Sequence, residues 1–506
     1  MIKCYHIQQT MFAKQIKPFQ SNLVNLQSGT MEISPLFDSA GSAYQQTRIA
    51  HWDAIARKKD SWRGMGRWYH QRLAEIYRFH IASNLSVLEI GCGGGKLLAA
   101  LKPARAVGVD FSAEMIHRAK QKYPAIEFIH ADAHDLSAIK EKFDIVILSD
   151  LINDLWDVQR VFEQIKLICT PRTRIIINFY SRLWQFPLSL AQKFGLATPN
   201  LYQNWLTRED IRSLLRLADF EPVQITQEIL LPLPLGGIAN RILVRLWPLH
   251  HLALSNFVIA RPISERAKEP VVSIIVPARN ESGNIKAIFE RTPKMGRETE
   301  LVFVEGHSKD DTYAAIEREI ASHRTPSLLL QQTGIGKADA VRLGFAKARG
   351  DVLMILDADL TVPPEDLPRF YEALVSGKGE FINGVRLVYP MEKEAMQTLN
   401  FFGNKFFNMA FSWLLGQPIK DTLCGTKVLW KTDYERIAAN RSYFGDFDPF
   451  GDYDLIFGAA KLNLKIVDLP IRYRERTYGS TNISRWKHGL LLLRMVAFAA
   501  RRIKFV

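Results

Sequence analysis

The stretch VLEIGCGGG, Val87 to Gly95, is an apolar run that breaks into four glycines. A strand ending in a glycine turn lets the backbone approach a ligand, because no side chain stands in the way. The helix predicted next, over GKLLAALK, offers free N–H groups at its N-terminus. Outward from this stretch the pattern repeats. SVLEIG, AVGVDF, IEFIHAD, FDIVILSD and RIIINFY are short, apolar and β-branched, with helical segments such as SAEMIHRAKQKY between them. That alternation predicts a parallel sheet with helices on both faces. PVQITQEILL and NFVIARP close this half, and an apolar insert, LPLGGIANRILVRLWPLHHLAL, lies between them.

The polar stretch Pro262 to Pro270, proline at each end, reads as a linker. Alternation restarts beyond it with VVSIIVPA, ELVFVEG, SLLLQQ, DVLMILDAD and EFINGVRLV. The expected organisation is a leader over 1–45, a first α/β domain over 46–262, a linker over 263–270, a second α/β domain over 271–481 and a tail over 482–506. A chain of 506 residues, 47% apolar, can bury a core in each domain.

A formal charge of +14 points to anionic partners such as nucleotide sugars, lipid phosphates or a membrane surface. There is no arginine-rich block or zinc-finger spacing, so nucleic acid is not an expected partner. Cys4, Cys92, Cys169 and Cys424 are scattered and form no CxxC pair, which fits a reducing cytoplasm. The N-terminal residues lack the apolar core of a signal peptide. No stretch reaches the roughly 20 apolar residues of a membrane span.

Acids stand after successive strands of the first half. Glu89 lies two residues before Gly91, Asp110 ends AVGVD and Asp132 ends IEFIHAD. A carboxylate at Asp110 can accept both hydroxyl hydrogens of a ribose, and Asp132 or the Ala133 amide can reach an adenine. These features alone leave a dinucleotide and S-adenosylmethionine open. Two details choose. Lys96 replaces the third glycine of a dinucleotide fingerprint, and Glu89 can meet the amino group of an amino-acid-bearing cofactor. VLEIGCGGG with VDFS, ADAHDL and FDIVILSD resembles the class I S-adenosylmethionine-dependent methyltransferases. The resemblance implies a Rossmann-like domain that binds S-adenosylmethionine through Glu89, Gly91, Gly93, Gly95, Asp110 and Asp132, with Ser149 and Asp150 near the methyl group. Asp150, Asp154, His134 and His70 are candidate bases for methyl transfer.

In the second half, VSIIVPARNE ends a strand at Pro277, Asn280 and Glu281, FVEGHSKDDT carries Glu305 and Asp310, and GIGKADA puts Lys337 at a helix start. An ammonium there can approach a diphosphate. LMILDADL ends an apolar run at Asp357-Ala358-Asp359. In a strand, residues one apart share a face, so both carboxylates are expected to face one hard cation, Mg²⁺ or Mn²⁺. VPARNE, VEGHSKDDT, GKADA, LDADLTVPPEDL, DTLCGTK and RERTYGST together resemble family-2 glycosyltransferases of the GT-A fold, of the dolichol-phosphate and polyprenyl-phosphate kind. The resemblance implies Pro277, Asn280, Glu281 and Glu305 around the nucleotide and Asp357 and Asp359 on the metal. It also implies Arg386 and Arg476 near the acceptor and donor phosphates, and Asp421 and Gly425 shaping the acceptor side. His307, Thr361 and Asn482 depart from the family pattern.

Asp452 and Asp454 offer a general base for a hydroxyl acceptor, or a helix-start cap. The last 22 residues carry six cations and no acid. They suit a helix lying in a membrane interface or one packed on the second domain, and the 230–252 insert admits the same two readings.

The expectation is therefore a bifunctional enzyme, peripheral on the cytoplasmic face of a membrane. One half moves a hexose from a UDP- or GDP-linked sugar to a lipid-phosphate or glycan acceptor, with polyprenyl phosphate the expected one. The other methylates a pathway component. The alternative is transfer to a saccharide or metabolite hydroxyl, with the first half a non-catalytic binding module.

Overall fold

The structure is a computed structural model and describes residues 39–57, 65–82, 84–194, 201–232, 237–386, 398–443, 452–472, 474, 478 and 485–505. Residues 43–506 form one compact unit containing two α/β domains in series, each built on a seven-stranded sheet.

The first sheet comprises β1 (Ser86–Ile90), β2 (Arg105–Asp110), β3 (Glu127–His130), β4 (Ile145–Ser149), β5 (Arg174–Tyr180), β6 (Phe220–Glu228) and β7 (Ser255–Pro262). Its order is β3-β2-β1-β4-β5-β7-β6. Strands β1 to β5 are parallel, and β7 runs antiparallel between β5 and β6. The second sheet comprises β8 (Val271–Ala278), β9 (Glu298–Glu305), β10 (Ser327–Gln331), β11 (Val352–Ile355), β12 (Phe381–Val385), β13 (Lys427–Trp430) and β14 (Ile466–Pro470), in the order β10-β9-β8-β11-β13-β12-β14. Here β13 is the antiparallel member. Both sheets are thus mixed, where alternation alone predicts purely parallel ones. β7 returns from the 230–252 insert, and β13 follows the helix Thr398–Leu415 without a crossover.

Burial on both faces explains the apolar runs. Ile145 and Ile147 of β4 enter one core layer, Val146 and Leu148 the other. Val352 and Met354 of β11 likewise oppose Leu353 and Ile355. Caps fix where helices begin. Ser112 Oγ accepts from Met115 N at 3.1 Å, Asp157 from Arg160 N at 3.0 Å, and Thr207 and Asp210 form a capping box. Residues 39–45, read from sequence as leader, belong to the helix Ser39–Arg57.

The domains meet where their parallel strands begin. Arg174, first in β5, donates to both oxygens of Glu380, just before β12, at 2.7 Å each, and to Asn463 O at 2.7 Å. Arg261, near the end of antiparallel β7, reaches Gly377 O at 2.6 Å and Glu380 at 3.6 Å. Lys465 N donates to Glu380 at 2.9 Å. Burial would raise the Glu380 pKa, but Arg174 and Arg261 outweigh it and hold the carboxyl below its ordinary range. The opposite strand ends, where ligands bind in such folds, face away from this junction.

The reading of the tail as an interfacial helix needs correction. The helix Arg485–Ala499 buries Leu492, Met495 and Ala499 in the core layer that holds Phe411, Leu414 and Leu415. Protein covers that apolar side, since burial against the neighbouring helix takes it out of water without any bilayer.

Candidate functional site

In the first sheet the strand order reverses between β1 and β4, so the crevice opens beyond β1. Gly91, Gly93 and Gly95 all have positive φ, 72°, 50° and 70°, which glycine adopts without strain. A Cβ on Gly91 would strike Leu151 and one on Gly95 would strike Phe128, whereas Gly93 and Gly94 face open space. The turn is closed on one side and clear on the other, as a ligand cradle requires. Asp110 Oδ2 accepts from Gly93 N at 2.8 Å and Oδ1 from Ser112 N at 2.9 Å. Burial pushes its pKa up to about 6, against the pull of those two amides. Glu89 is buried, and its Oε2 has no hydrogen-bond partner. Burial lifts its pKa well above the carboxylate range. A buried acceptor without a donor is costly, and the amino group of an amino-acid cofactor would satisfy it. The residues present therefore fit S-adenosylmethionine.

Asp132 is turned to the protein itself. Its Oδ1 accepts from His134 N at 2.7 Å and Nδ1 at 2.6 Å, and its Oδ2 from Gln45 Nε2. The His134 ring Nε2 accepts from Asp157 N at 3.1 Å, which places the ring proton on Nδ1. That tautomer leaves His134 bridging two elements. Gln45 belongs to the helix Ser39–Arg57, which also sends Asp53 to Ser112 and Trp52 Nε1 to Asp154 at 3.0 Å. This helix borders the cofactor crevice, a role its residues do not announce in sequence.

Beyond β4, next to Ser149, lies a polar cluster in an apolar setting. Asp150, at φ 54°, accepts from Tyr69 OH at 2.8 Å and from Asn178 Nδ2 at 2.6 Å. Tyr69 OH also meets Ser255 Oγ at 3.1 Å, and Tyr77 OH donates to Asn178 at 2.7 Å. Burial raises the Asp150 pKa to about 7, tempered by the Tyr69 and Asn178 bonds. Sequence reasoning named Asp150 but missed Tyr69, Asn178 and Ser255. The polar Asn178 inside RIIINFY was the available signal. His70, another candidate base, is held neutral by burial and Lys96, with its pKa near 3. Asp154 takes Trp52 and lies 3.6 Å from Arg48.

In the second sheet the order reverses between β8 and β11. Pro277 is the last residue but one of β8, and Asn280 follows at φ 58°, with its N–H on Ser308 Oγ at 2.9 Å and its Oδ1 receiving Lys309 N at 2.7 Å. Glu281 accepts from Asn284 Nδ2 at 2.7 Å. Glu305, last in β9, accepts from Ser308 N at 2.5 Å. Asp310 receives Thr312 N at 3.2 Å and Ser282 N at 3.3 Å. These residues stitch the β8 and β9 loops into one rim.

Asp357 and Asp359 do not lie in a strand. β11 stops at Ile355, and Asp357 to Leu360 form a turn, Leu360 N donating to Asp357 O at 3.2 Å. The shared-face argument therefore fails, and the turn sets the two carboxylates. Lys337 Nζ lies 2.5 Å from Asp357 Oδ1. Asp359 Oδ1 accepts from Thr361 N at 3.1 Å and Thr361 Oγ1 at 2.7 Å. Burial opposes ionisation of Asp357, but Lys337, then Lys427 and Arg386, outweigh it and keep its pKa below the ordinary value. Gly425 packs directly on this pair, with Asp357 Cγ 2.7 Å from where a Cβ would stand.

Arg386 is forked by Asp421, Nε to Oδ2 at 2.7 Å and NH2 to Oδ1 at 2.9 Å. Buried Lys427, not picked out from sequence, donates to Cys424 O. Asp454 accepts from Arg441 Nε at 2.8 Å and Arg342 NH2 at 3.3 Å. These two bonds turn the Asp454 carboxylate toward the protein's own guanidiniums. Arg476 and Asn482, and the side chain of Asp452, lie outside the described residues. Among the described residues no group of three or more His, Cys, Asp or Glu could hold a metal ion. Two neighbouring carboxylates suit a hard divalent cation whose remaining ligands come from phosphates and water.

Residues 273–437 match the family model described as glycosyl transferase family 2, and residues 87–172 one described as methyltransferase domain. The dolichol-phosphate mannosyltransferase of Saccharomyces cerevisiae is 35% identical over 107 residues, 20% of this chain and 40% of its own. That of Pyrococcus furiosus is 35% identical over 108 residues, 21% and 30%. The undecaprenyl-phosphate 4-deoxy-4-formamido-L-arabinose transferase of Edwardsiella ictaluri is 36% identical over 113 residues, 21% and 34%. The chain spans less than half the length of these three relatives. Among solved structures, magnesium protoporphyrin IX methyltransferase from Synechocystis aligns at 17% identity and TM-score 0.31, covering 44% of this chain and 98% of that one. Glucosyl-3-phosphoglycerate synthase from Mycobacterium tuberculosis aligns at 17% and 0.34, covering 46% and 80%.

Proposed function

Because the chain carries a methyltransferase domain and a family-2 glycosyltransferase domain in series, we propose that it joins two transfer reactions in one polypeptide. The second domain moves a hexose from a UDP- or GDP-linked sugar to a polyprenyl-phosphate acceptor. The first methylates a component of the same pathway using S-adenosylmethionine. The observation that carries the sugar-transfer reading is the Lys337–Asp357 pair, packed on Gly425 at the point where strand order reverses.

Asp357 and Asp359 would hold Mg²⁺ or Mn²⁺ through carboxylate oxygens. When bound, the ion supplies positive charge against the diphosphate as it leaves. Lys337, at the N-terminus of its helix, adds a second positive charge at the same place. Pro277, Asn280, Glu281, Glu305 and Asp310 line the rim where the nucleotide would sit. Asp421 fixes the Arg386 guanidinium, which keeps a cation beside the Asp357 turn to orient an anionic acceptor. Arg476 would act with it. An acceptor phosphate oxygen attacks C1, the C1–O bond to the diphosphate breaks, and the nucleoside diphosphate departs. Such a nucleophile is already anionic and needs no base.

In the first domain, Glu89 would take the cofactor amino group, Asp110 the ribose and Gly91 to Gly95 the close approach. Asp132, Ala133 and Ser149 border the same crevice. S-adenosylmethionine supplies an electrophilic methyl. Asp150, with its pKa near 7, would take the acceptor's proton. Among the described residues no helix is long and apolar enough to cross a membrane. In this reading the chain meets its lipid acceptor peripherally, at the cytoplasmic face.

Profiling hydrolysis of UDP- and GDP-sugars with Mn²⁺, in wild type and Asp359→Ala, tests the metal and donor reading. Turnover should vanish in the variant; unchanged turnover would remove Asp359 from the reaction. Calorimetry with S-adenosylmethionine tests the other half, and absence of heat from cofactor-free protein would leave it a non-catalytic module.

A further inference from the structure

Two helices, one from each domain, turn an apolar stripe toward solvent. Around the helix Gln185–Lys193, Leu183, Phe186, Leu190 and Phe194 recur at helical spacing and all are exposed, Phe186 by 76%. In the helix Thr398–Leu415, Phe406, Met409 and Trp413 do the same, Met409 by 69%. A stripe at i, i+3, i+7 normally faces a core, and here it faces outward.

The 237–254 part of the insert connects them. Trp184 Nε1 donates to Leu252 O at 2.9 Å, and Trp413 Nε1 to Arg245 O at 3.3 Å. Between these two anchors Leu246 and Trp247 project, Trp247 exposed by 80%. Lys504 then lies 5.1 Å from the Trp413 ring, bringing the C-terminal residues to the same border. Isolated exposed apolar residues need no explanation, but a joined set of this size marks an interaction surface.

Charge identifies the partner. The segments 182–194, 237–254, 398–415 and 485–505 contain no Asp or Glu, in a chain with 52 acids. They supply Arg182, Lys193, Arg241, Arg501 and Arg502, all exposed. A second copy of the chain would bring like charges together across a two-fold contact, whereas anionic lipid headgroups complement them. The insert also springs from the end of β6 and returns into β7, at the cofactor-side edge of the first sheet.

We propose that this two-domain surface is the membrane-docking face of the protein. Its exposed aromatic and aliphatic side chains enter the headgroup boundary, and the surrounding cations rest on anionic phosphates. This rests on the reading of the sugar acceptor as a lipid phosphate only for its purpose; the surface itself stands on exposure and charge. The insert and the two stripes do the work first sought in the C-terminal tail, whose apolar side is spent on the second domain.

The test is flotation of the full chain with phosphatidylcholine vesicles, with and without about 30% phosphatidylglycerol, and no polyprenyl phosphate present. Binding should require the anionic lipid and weaken in high salt. Phe186→Ser with Trp247→Ser should lower partitioning at least tenfold while leaving the melting temperature within about 2 °C, and Phe406→Ser should lower it further. Equal partitioning to neutral vesicles, no binding, or unchanged binding by the double variant would overturn the proposal. So would a dimer in sedimentation that the same substitutions dissolve. Sugar transfer to a short-chain polyprenyl phosphate in detergent tests the acceptor reading without any bilayer, so the two failures are distinguishable.

Discussion

Adding one methyl group at Gly425 should disable sugar transfer without unfolding the domain. Gly425 has no positive φ, so alanine fits its backbone. The new Cβ, however, would stand 2.7 Å from Asp357 Cγ, closer still to Oδ2, and against Lys337 Nζ. Real Cβ atoms keep 3.0 Å or more from their neighbours, so the carboxylate must move by roughly 1 Å. Both side chains are partly exposed, 26% and 30%, so they can swing aside. The fold should lose no more than about 1 kcal/mol. A displacement of that size at a reacting site costs on the order of 10²-fold in rate. The assay is steady-state sugar transfer with Mn²⁺, paired with a thermal melt. A fall of about a hundredfold in kcat/KM with a nearly unchanged melt is expected. Wild-type turnover in Gly425→Ala would refute the argument that Asp357 works from the position it occupies here.

Other consequences are accessible. Asp110, with its pKa raised to about 6 by burial, accepts ribose hydroxyls only when ionised. S-adenosylmethionine affinity should fall by up to tenfold per pH unit below about pH 6, checked by calorimetry between pH 5 and 7.5. Gly94→Ala meets nothing within 4 Å and should fold normally while losing cofactor binding, whereas Gly95→Ala, at positive φ and against Phe128, should destabilise the turn itself; equal melts for the two would contradict this. Arg174→Met strips the buried Glu380 of its fork and leaves Arg261 at 3.6 Å, so a loss of about 3 kcal/mol is expected in denaturant unfolding. A loss under about 1 kcal/mol would mean that the junction contributes little to stability.

Strand-forming runs were legible because burial on both sheet faces demands unbroken apolar sequence. Leu353 to Ile355 could be read this way, and the antiparallel β13, KVLW, could not, because four residues beginning with a buried lysine carry no strand pattern. Gly91 and Gly93 were legible because a turn at positive φ admits glycine without strain, and Asp110 because it closes an apolar strand. Asp357 and Asp359 were singled out on pleat alternation, but turn closure at Leu360 sets them instead. Tyr69, Asn178 and Ser255 gather around Asp150 from three distant segments, and only the folded chain brings them together. The outward stripes at Phe186 and Phe406 have the spacing of buried faces, so sequence could not show that they are bare.

Under the proposed function, Asp357 and Asp359 would hold a divalent ion that supplies positive charge for hexose transfer to a lipid phosphate. Incubating the full chain with Mn²⁺, radiolabelled UDP- or GDP-hexose and polyprenyl phosphate, then partitioning into organic solvent, tests it most directly. Label should enter a mild-acid-labile lipid, disappear with chelator and disappear in Asp359→Ala. Label confined to an aqueous saccharide, or transfer indifferent to the chelator, would contradict it.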